Sequence, residues 1–245
     1  MPSDMTGIHV YNSDKRAFDL LPGPLFADVV LVDEINRTGP KTQSALLQAM
    51  EEGCITIDRD TYALPRNYFI IASQNPHELE GTYPLPESQL DRFLMRLTLD
   101  YPDAATEQQI LKAYDHPGGG HLEAEKAIEA LPEGLVDAAR EQAAAIVVSD
   151  AVYGYVVAIA EASRHHSAIS LGLSSRGALA LMRCARVEAA LRGGDFVTPD
   201  DVKAVARAVI AHRLILTPEA MLEGKDGAVM ADVILGQVEV PRDSA

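Results

Sequence analysis

Val29-Val30-Leu31-Val32-Asp33-Glu34 limits the fold of this chain more than any other stretch, because four aliphatic residues in a row end abruptly in two carboxylates. Such a run suits a strand buried on both faces of a parallel sheet. Charge at its carboxyl end falls where open α/β sheets place their ligand sites. A second run, Tyr68-Phe69-Ile70-Ile71-Ala72-Ser73, also ends in polar groups, Gln74 and Asn75, before Pro76 forbids continuation. Two parallel strands of this kind would set Asp33, Glu34 and Asn75 side by side. Taken singly, each is equally a buried strand meeting a polar turn.

The segments around these strands are short. Gly7 to Leu21 reads as a hairpin with alternating Ile8, Val10, Phe18 and Leu20, and Ile55 to Leu64 as a second hairpin turning at Asp58-Arg59-Asp60. Lys41 to Glu52 reads as a helix closed by Gly53, with Ala45, Leu46, Ala49 and Met50 as its buried stripe. A helix over Glu87 to Arg96, a short strand at Leu97-Thr98-Leu99 and a helix capped by Asp103 follow. Asp115-His116-Pro117-Gly118-Gly119-Gly120-His121 is the one clear break in composition, which divides the chain into domains 1–115 and 116–245. Beyond it only helices are expected: Leu122 to Leu131, Glu133 to Ala145, Asp150 to His165, Ser175 to Leu191, Pro199 to Ile215, and a short one after Pro218. Arg176 falls in the first turn of a helix capped by Ser174 or Ser175, where a cation meets the positive end of the macrodipole. A bound anion would reverse that penalty; an outward, solvated Arg is the alternative.

Charge and motifs weigh against several classes. Thirty-six acidic against 21 basic residues give a net charge of −15, which repels nucleic-acid backbones, and no basic cluster offsets it. No apolar stretch reaches the roughly 20 residues of a membrane helix, and Met1-Pro2-Ser3-Asp4 lacks an export signal, so a cytoplasmic protein is expected. Cys54 and Cys184 have no metal spacing and read as reduced thiols. The phosphate-loop pattern G-x-x-x-x-G-K followed by Ser or Thr is absent, since Pro40 separates Gly39 from Lys41 and Asp226 follows Lys225. His77-Glu78-Leu79-Glu80-Gly81 lacks the second histidine of a zinc helix, and Gly172-Leu173-Ser174-Ser175-Arg176 is no nucleophile elbow.

The order of the pieces is more specific than any one of them. Val30 to Arg37, then Ala72-Ser73-Gln74-Asn75-Pro76, then Glu80-Gly81-Thr82-Tyr83-Pro84-Leu85-Pro86-Glu87, then Gln89-Leu90-Asp91-Arg92-Phe93, closely resembles the MoxR family of AAA+ ATPases. The resemblance runs from about Pro2 to Tyr101, and Leu173-Ser174-Ser175-Arg176-Gly177 is similar to the family's lid domain. It implies an α/β fold: an AAA+ core of the P-loop NTPase type with a partial parallel sheet and two β-hairpin inserts, followed by an all-α lid.

It also implies roles. Asp33 would be the Walker B carboxylate that holds Mg2+ through water, Glu34 the residue that activates water, and Asn75 sensor 1 near the γ-phosphate. Arg92 would be the arginine finger, with Arg96 as the other candidate, and Arg176 would be sensor 2. ATP and Mg2+ are the implied cofactors. A ring, read as a hexamer, and a von Willebrand factor A domain partner for chaperone-like remodelling are the implied partners. The family's first strand, Walker A loop and following helix normally precede the segment at Pro2-Ser3-Asp4, so the chain reads as an N-terminally truncated form that binds ATP weakly by itself. Rival readings are a magnesium-chelatase-like motor subunit, a nucleotide-free interaction module, and a nucleic-acid motor that the charge disfavours.

Overall fold

A computed structural model of the chain describes residues 2–75, 81–115 and 130–241. The expected helix from Leu122 therefore lies almost wholly outside the described residues, as do the glycine-rich break beyond Asp115 and the His77 to Glu80 stretch. Two compact units divide between Leu94 and Met95. This is earlier than the compositional break, because the Arg96 backbone N–H already donates to the Ala208 carbonyl at 2.9 Å.

In the first unit α1 (Pro2–Thr6) leads into the antiparallel hairpin β1 (Gly7–Asn12) and β2 (Ala17–Pro22). Strand β3 (Val29–Val32) is followed by α2 (Pro40–Glu52) and the second hairpin, β4 (Cys54–Ile57) with β5 (Asp60–Ala63). Strand β6 (Phe69–Ala72) returns to pair in parallel with β3, and α3 (Glu87–Leu90) closes the unit. Proline at the start of α2 and Gly53 in the left-handed region at its end (φ 62°) fix that helix at both termini. The two hairpins are tied by one side chain: His9 Nδ1 lies 2.8 Å from Asp58 Oδ2, and its Nε2 lies 2.8 Å from the Tyr62 hydroxyl.

Three local expectations are corrected here. Strand β3 is not buried on both faces: Val30 and Val32 are 7% and 8% exposed, whereas Val29 and Leu31 are 58% and 71% exposed. The parallel pair is two strands wide and carries its core, with Leu25, Ile35, Leu46 and Leu47, on one face. The helix expected to reach Arg96 ends at Leu90, because Arg92 and Phe93 donate three residues back, to Gln89 and Leu90, and the winding tightens into turns. Leu97 to Leu99 pairs with no strand among the described residues.

Register places Val29 opposite Phe69 and Leu31 opposite Ile71, so all four side chains form one exposed apolar face. Contiguous apolar surface of this kind drives association. The 245-residue chain is therefore expected to bind a hydrophobic-surface dye and to self-associate at micromolar concentration. Leu31→Lys combined with Ile71→Lys should shift its sedimentation toward monomer; an unchanged profile would clear this face of the effect.

The second unit is mainly helical: α4 (Ala104–Tyr114), α5 (Leu135–Ala145), α6 (Asp150–His165), α7 (Ser175–Leu191), α8 (Pro199–Ile210), α9 (Pro218–Leu222) and α10 (Gly227–Gln237). Ile159, Leu181, Val202, Val209, Ile210 and Ile234 form its fully buried centre. Helix α8 stops at Ile210 rather than Ile215, and two short strands, β7 (Ile169–Leu171) and β8 (Ile215–Leu216), pair antiparallel where only helices were expected. Helix α10 was not anticipated, since Ala228, Val229, Met230, Ala231, Val233, Ile234 and Leu235 give an apolar run with little amphipathic period. Its first residue, Gly227, abuts the turn after α8, where a Cβ would meet the Ala211 carbonyl oxygen.

Thr198 and Asp201 form a reciprocal capping box at the start of α8. Arg192 donates to both oxygens of Asp201, at 2.9 and 3.0 Å, and this pulls the carboxyl down to about 2 against the opposing effect of burial. Depressed in the folded state, the group contributes stability above its ordinary value of 3.8 and loses it as pH falls from there through about 2. Asp201→Ala should cost about 2 kcal/mol at neutral pH, read as a lower Tm, and should flatten that part of the acid-unfolding profile. An unshifted Tm would show that the cap is dispensable.

Candidate functional site

Parallel pairing of Val32 with Ala72 makes Asp33 and Ser73 leave the sheet together at the carboxyl ends of β3 and β6. The ladder runs on past the strands: Ser73 N–H donates to the Val32 carbonyl at 2.9 Å, and Ile35 N–H donates to the Ser73 carbonyl at 3.0 Å. Between them Glu34 adopts a left-handed conformation (φ 51°, ψ 56°), which costs a non-glycine residue roughly 1–2 kcal/mol. Its N–H donates to Ser73 Oγ at 2.8 Å, and the Ser73 hydroxyl donates to Asp33 Oδ1. The Glu34 carboxylate pairs with Arg37 at 2.9 Å.

The turn after Glu34 is anchored from beneath by two buried amides. Asn36 is 3% exposed; its Nδ2 donates to the Asn75 carbonyl at 3.4 Å, while its own carbonyl accepts from Tyr83 N–H at 2.6 Å. Its Oδ1 is buried with no hydrogen-bond partner among the described residues. Gln43 on α2, 2% exposed, donates to the carbonyls of Ile35 and Tyr83 at 3.2 and 2.9 Å. One network thus joins the Asp33-Glu34 turn to the Asn75 loop and the Tyr83 loop.

Asp33, Glu34 and Asn75 accordingly gather at one sheet edge, while Arg92 stands elsewhere in the same unit, ion-paired with Glu51 of α2 at 3.1 Å. Arg176 lies in the second unit, exposed on the first turn of α7. Its place is set by close packing. Ser163 Oγ, fully buried, accepts from Leu173 N–H at 2.8 Å, and Arg164 Nε donates to the Leu173 carbonyl at 2.9 Å. Ser174, not Ser175, caps the helix by accepting from Gly177 N–H at 3.0 Å. Gly172 passes so near α6 that a Cβ would meet the Arg164 backbone nitrogen at 2.6 Å.

Ser73, Asn36 and Gln43 escaped the sequence reading. Serine at a strand end carries no signal of its own. Gln43 did carry one, a polar residue three and four positions before Leu46 and Leu47 on the buried stripe of α2.

The donor set at this edge is carboxylate, hydroxyl and amide oxygen, with no thiol or imidazole among the residues just described. Hard oxygen donors suit Mg2+ rather than zinc or copper. Among the described residues no three acidic, histidine or cysteine side chains could cage a metal alone. Mg2+ fits this arrangement, since it keeps waters and phosphate oxygens and needs only one or two protein carboxylates.

Comparison with known proteins identifies relatives of both units. Residues 1–95 match the family model described as "ATPase family associated with various cellular activities (AAA)", and residues 161–233 match an AAA lid domain. The uncharacterized protein YeaC of Bacillus subtilis is 42% identical over 98% of this chain and 74% of its own length. Chaperone MoxR1 of Mycobacterium tuberculosis is 34% identical over the whole chain and 66% of its own length. A crystal structure of a candidate ATPase from Cytophaga hutchinsonii superimposes with a TM-score of 0.88, 34% identical, over 99% of this chain and 75% of that one. With the strand-end carboxylates, the paired hairpins and the helical second unit in place, the chain belongs to the MoxR-like family of AAA+ ATPases.

Proposed function

We propose that this chain works in ATP hydrolysis coupled to the remodelling of protein partners, with Asp33 holding Mg2+ through water, Glu34 activating the attacking water and Asn75 orienting it. The observation that carries the reading is the convergence of Asp33, Glu34 and the Asn75 loop at one end of a parallel strand pair, fixed by Ser73 and Asn36. Mg2+, when bound, offsets charge on the phosphate oxygens. Asp33, an acceptor at Oδ1, presents a carboxylate to it; Glu34 takes a proton from water once Arg37 gives way. Arg92 acts as the finger on the neighbouring subunit of a ring, taken as a hexamer, and Arg176 meets the phosphates from the start of α7. A von Willebrand factor A domain protein is the proposed partner.

Residues 1–245 contain no phosphate loop, the element that supplies backbone N–H groups and a lysine to the phosphates. Titration of Mg-ATP should give weak or no binding to these residues alone, and tight binding once they are joined to a phosphate-loop strand and helix. Tight binding by the 245 residues alone would refute the assignment of the phosphate grip to such a loop. The same missing motif favours a second reading, a nucleotide-free interaction module, which ring assembly indifferent to ATP would support.

A further inference from the structure

Two polar contacts at the sheet edge, one from Glu34 and one to Asp33, meet at a hydroxyl that the family reading leaves without a role. Ser73 Oγ accepts the Glu34 N–H at 2.8 Å and donates to Asp33 Oδ1, so a single oxygen touches both acidic residues. We propose that Ser73 is a positioning residue for hydrolysis: it holds Glu34 in its left-handed conformation and sets the Asp33 carboxylate at the strand end. This rests on the ATPase reading of Asp33 and Glu34.

The chemistry of a hydroxyl gives the clamp its direction. Serine has one proton to give and two lone pairs to receive with. Having given its proton to Asp33 Oδ1, the oxygen has only acceptor capacity left, which the Glu34 N–H takes. The Asp33 carboxyl group is thereby held at Oδ1, and among the described residues its Oδ2 accepts no hydrogen bond, leaving that oxygen for a ligand. The Glu34 backbone needs such an anchor, because nothing in the side chain of a glutamate favours φ near 51°. Ser73 is itself well placed to supply it. Its N–H and C=O are locked into the continuing ladder with Val32 and Ile35, so the hydroxyl projects from a fixed point.

Two readouts test the clamp. In residues 1–245 without nucleotide, Ser73→Ala removes the acceptor of the Glu34 amide, whose hydrogen exchange should quicken about tenfold, while the Val30 and Val32 amides keep their protection and report an intact sheet. In the chain joined to a phosphate loop, Ser73→Ala should lower kcat about 10–100-fold with KM for ATP nearly unchanged, and Ser73→Thr, which keeps the hydroxyl, should restore both readouts. Unchanged exchange at Glu34, unchanged kcat, a failed rescue by threonine, or a KM that rises in step with the fall in kcat would each overturn the role. Glu34→Gln separates this failure from that of the parent reading. If it stops turnover while Ser73→Ala is silent, only the clamp is lost; if it leaves turnover intact, the ATPase reading falls and the clamp's role falls with it.

Discussion

Glu34→Gln, in residues 1–245 joined to a phosphate-loop segment, is expected to leave Mg-ATP bound and to lower turnover by about a hundredfold or more. The amide keeps the size and backbone of the glutamate, so the turn at Ile35 and the Ser73 contact to the Glu34 N–H persist. What is lost is the capacity to take a proton. The Glu34 side chain pairs with Arg37 at 2.9 Å. Single-turnover kinetics with nucleotide binding measured in parallel separate the two effects. Turnover close to that of the unsubstituted chain would remove Glu34 from the chemistry and with it the reading of β3 as a catalytic strand.

The second large effect concerns Arg92, whose replacement by Ala should cost about 10³ in rate if it serves as a finger. Within its own unit Arg92 is bound to Glu51 at 3.1 Å, so a purely structural role in joining α2 to the turn after α3 competes with the finger. A partly exposed ion pair of this kind is worth only about 0.2–1 kcal/mol, too little for its loss to disturb the fold. Mixing decides between the roles. Arg92→Ala protomers retain Glu34, and Glu34→Gln protomers retain Arg92, so rings mixed from two inactive variants should regain activity at interfaces that hold one good copy of each. No recovery on mixing would place Arg92 in the service of its own subunit and direct attention to Arg96.

Legibility in the sequence followed the range of the interactions. The hairpins, α2, α4, α6 and α7 were readable because their determinants are local: alternation about a turn, capping by Asp103, a glycine stop at Gly53. Helix α10 and the β7–β8 pair were not, since an apolar helix has no period to read and strands of two and three residues gain their order from the core beneath them. The end of α8 at Ile210 was equally hidden. It depends on β8 pairing with β7, forty-odd residues earlier in the chain.

The chemistry divides in the same way. Sequence alone determined which polar residues stand at the ends of the two apolar runs, because an apolar strand can end in Asp-Glu or in Gln-Asn only where it leaves the core. It also determined that no phosphate loop lies among these 245 residues. Tertiary structure alone decided that β3 and β6 are parallel neighbours in a register that sets Ser73 against Asp33 and Glu34, and that Asn36 ties the turn to Asn75. It also decided that one face of this pair is bare, with Val29, Leu31, Phe69 and Ile71 exposed. A run of β-branched residues specifies a strand, but which strand lies beside it, and what covers each face, is fixed by side chains remote in the chain and by one-residue differences in register.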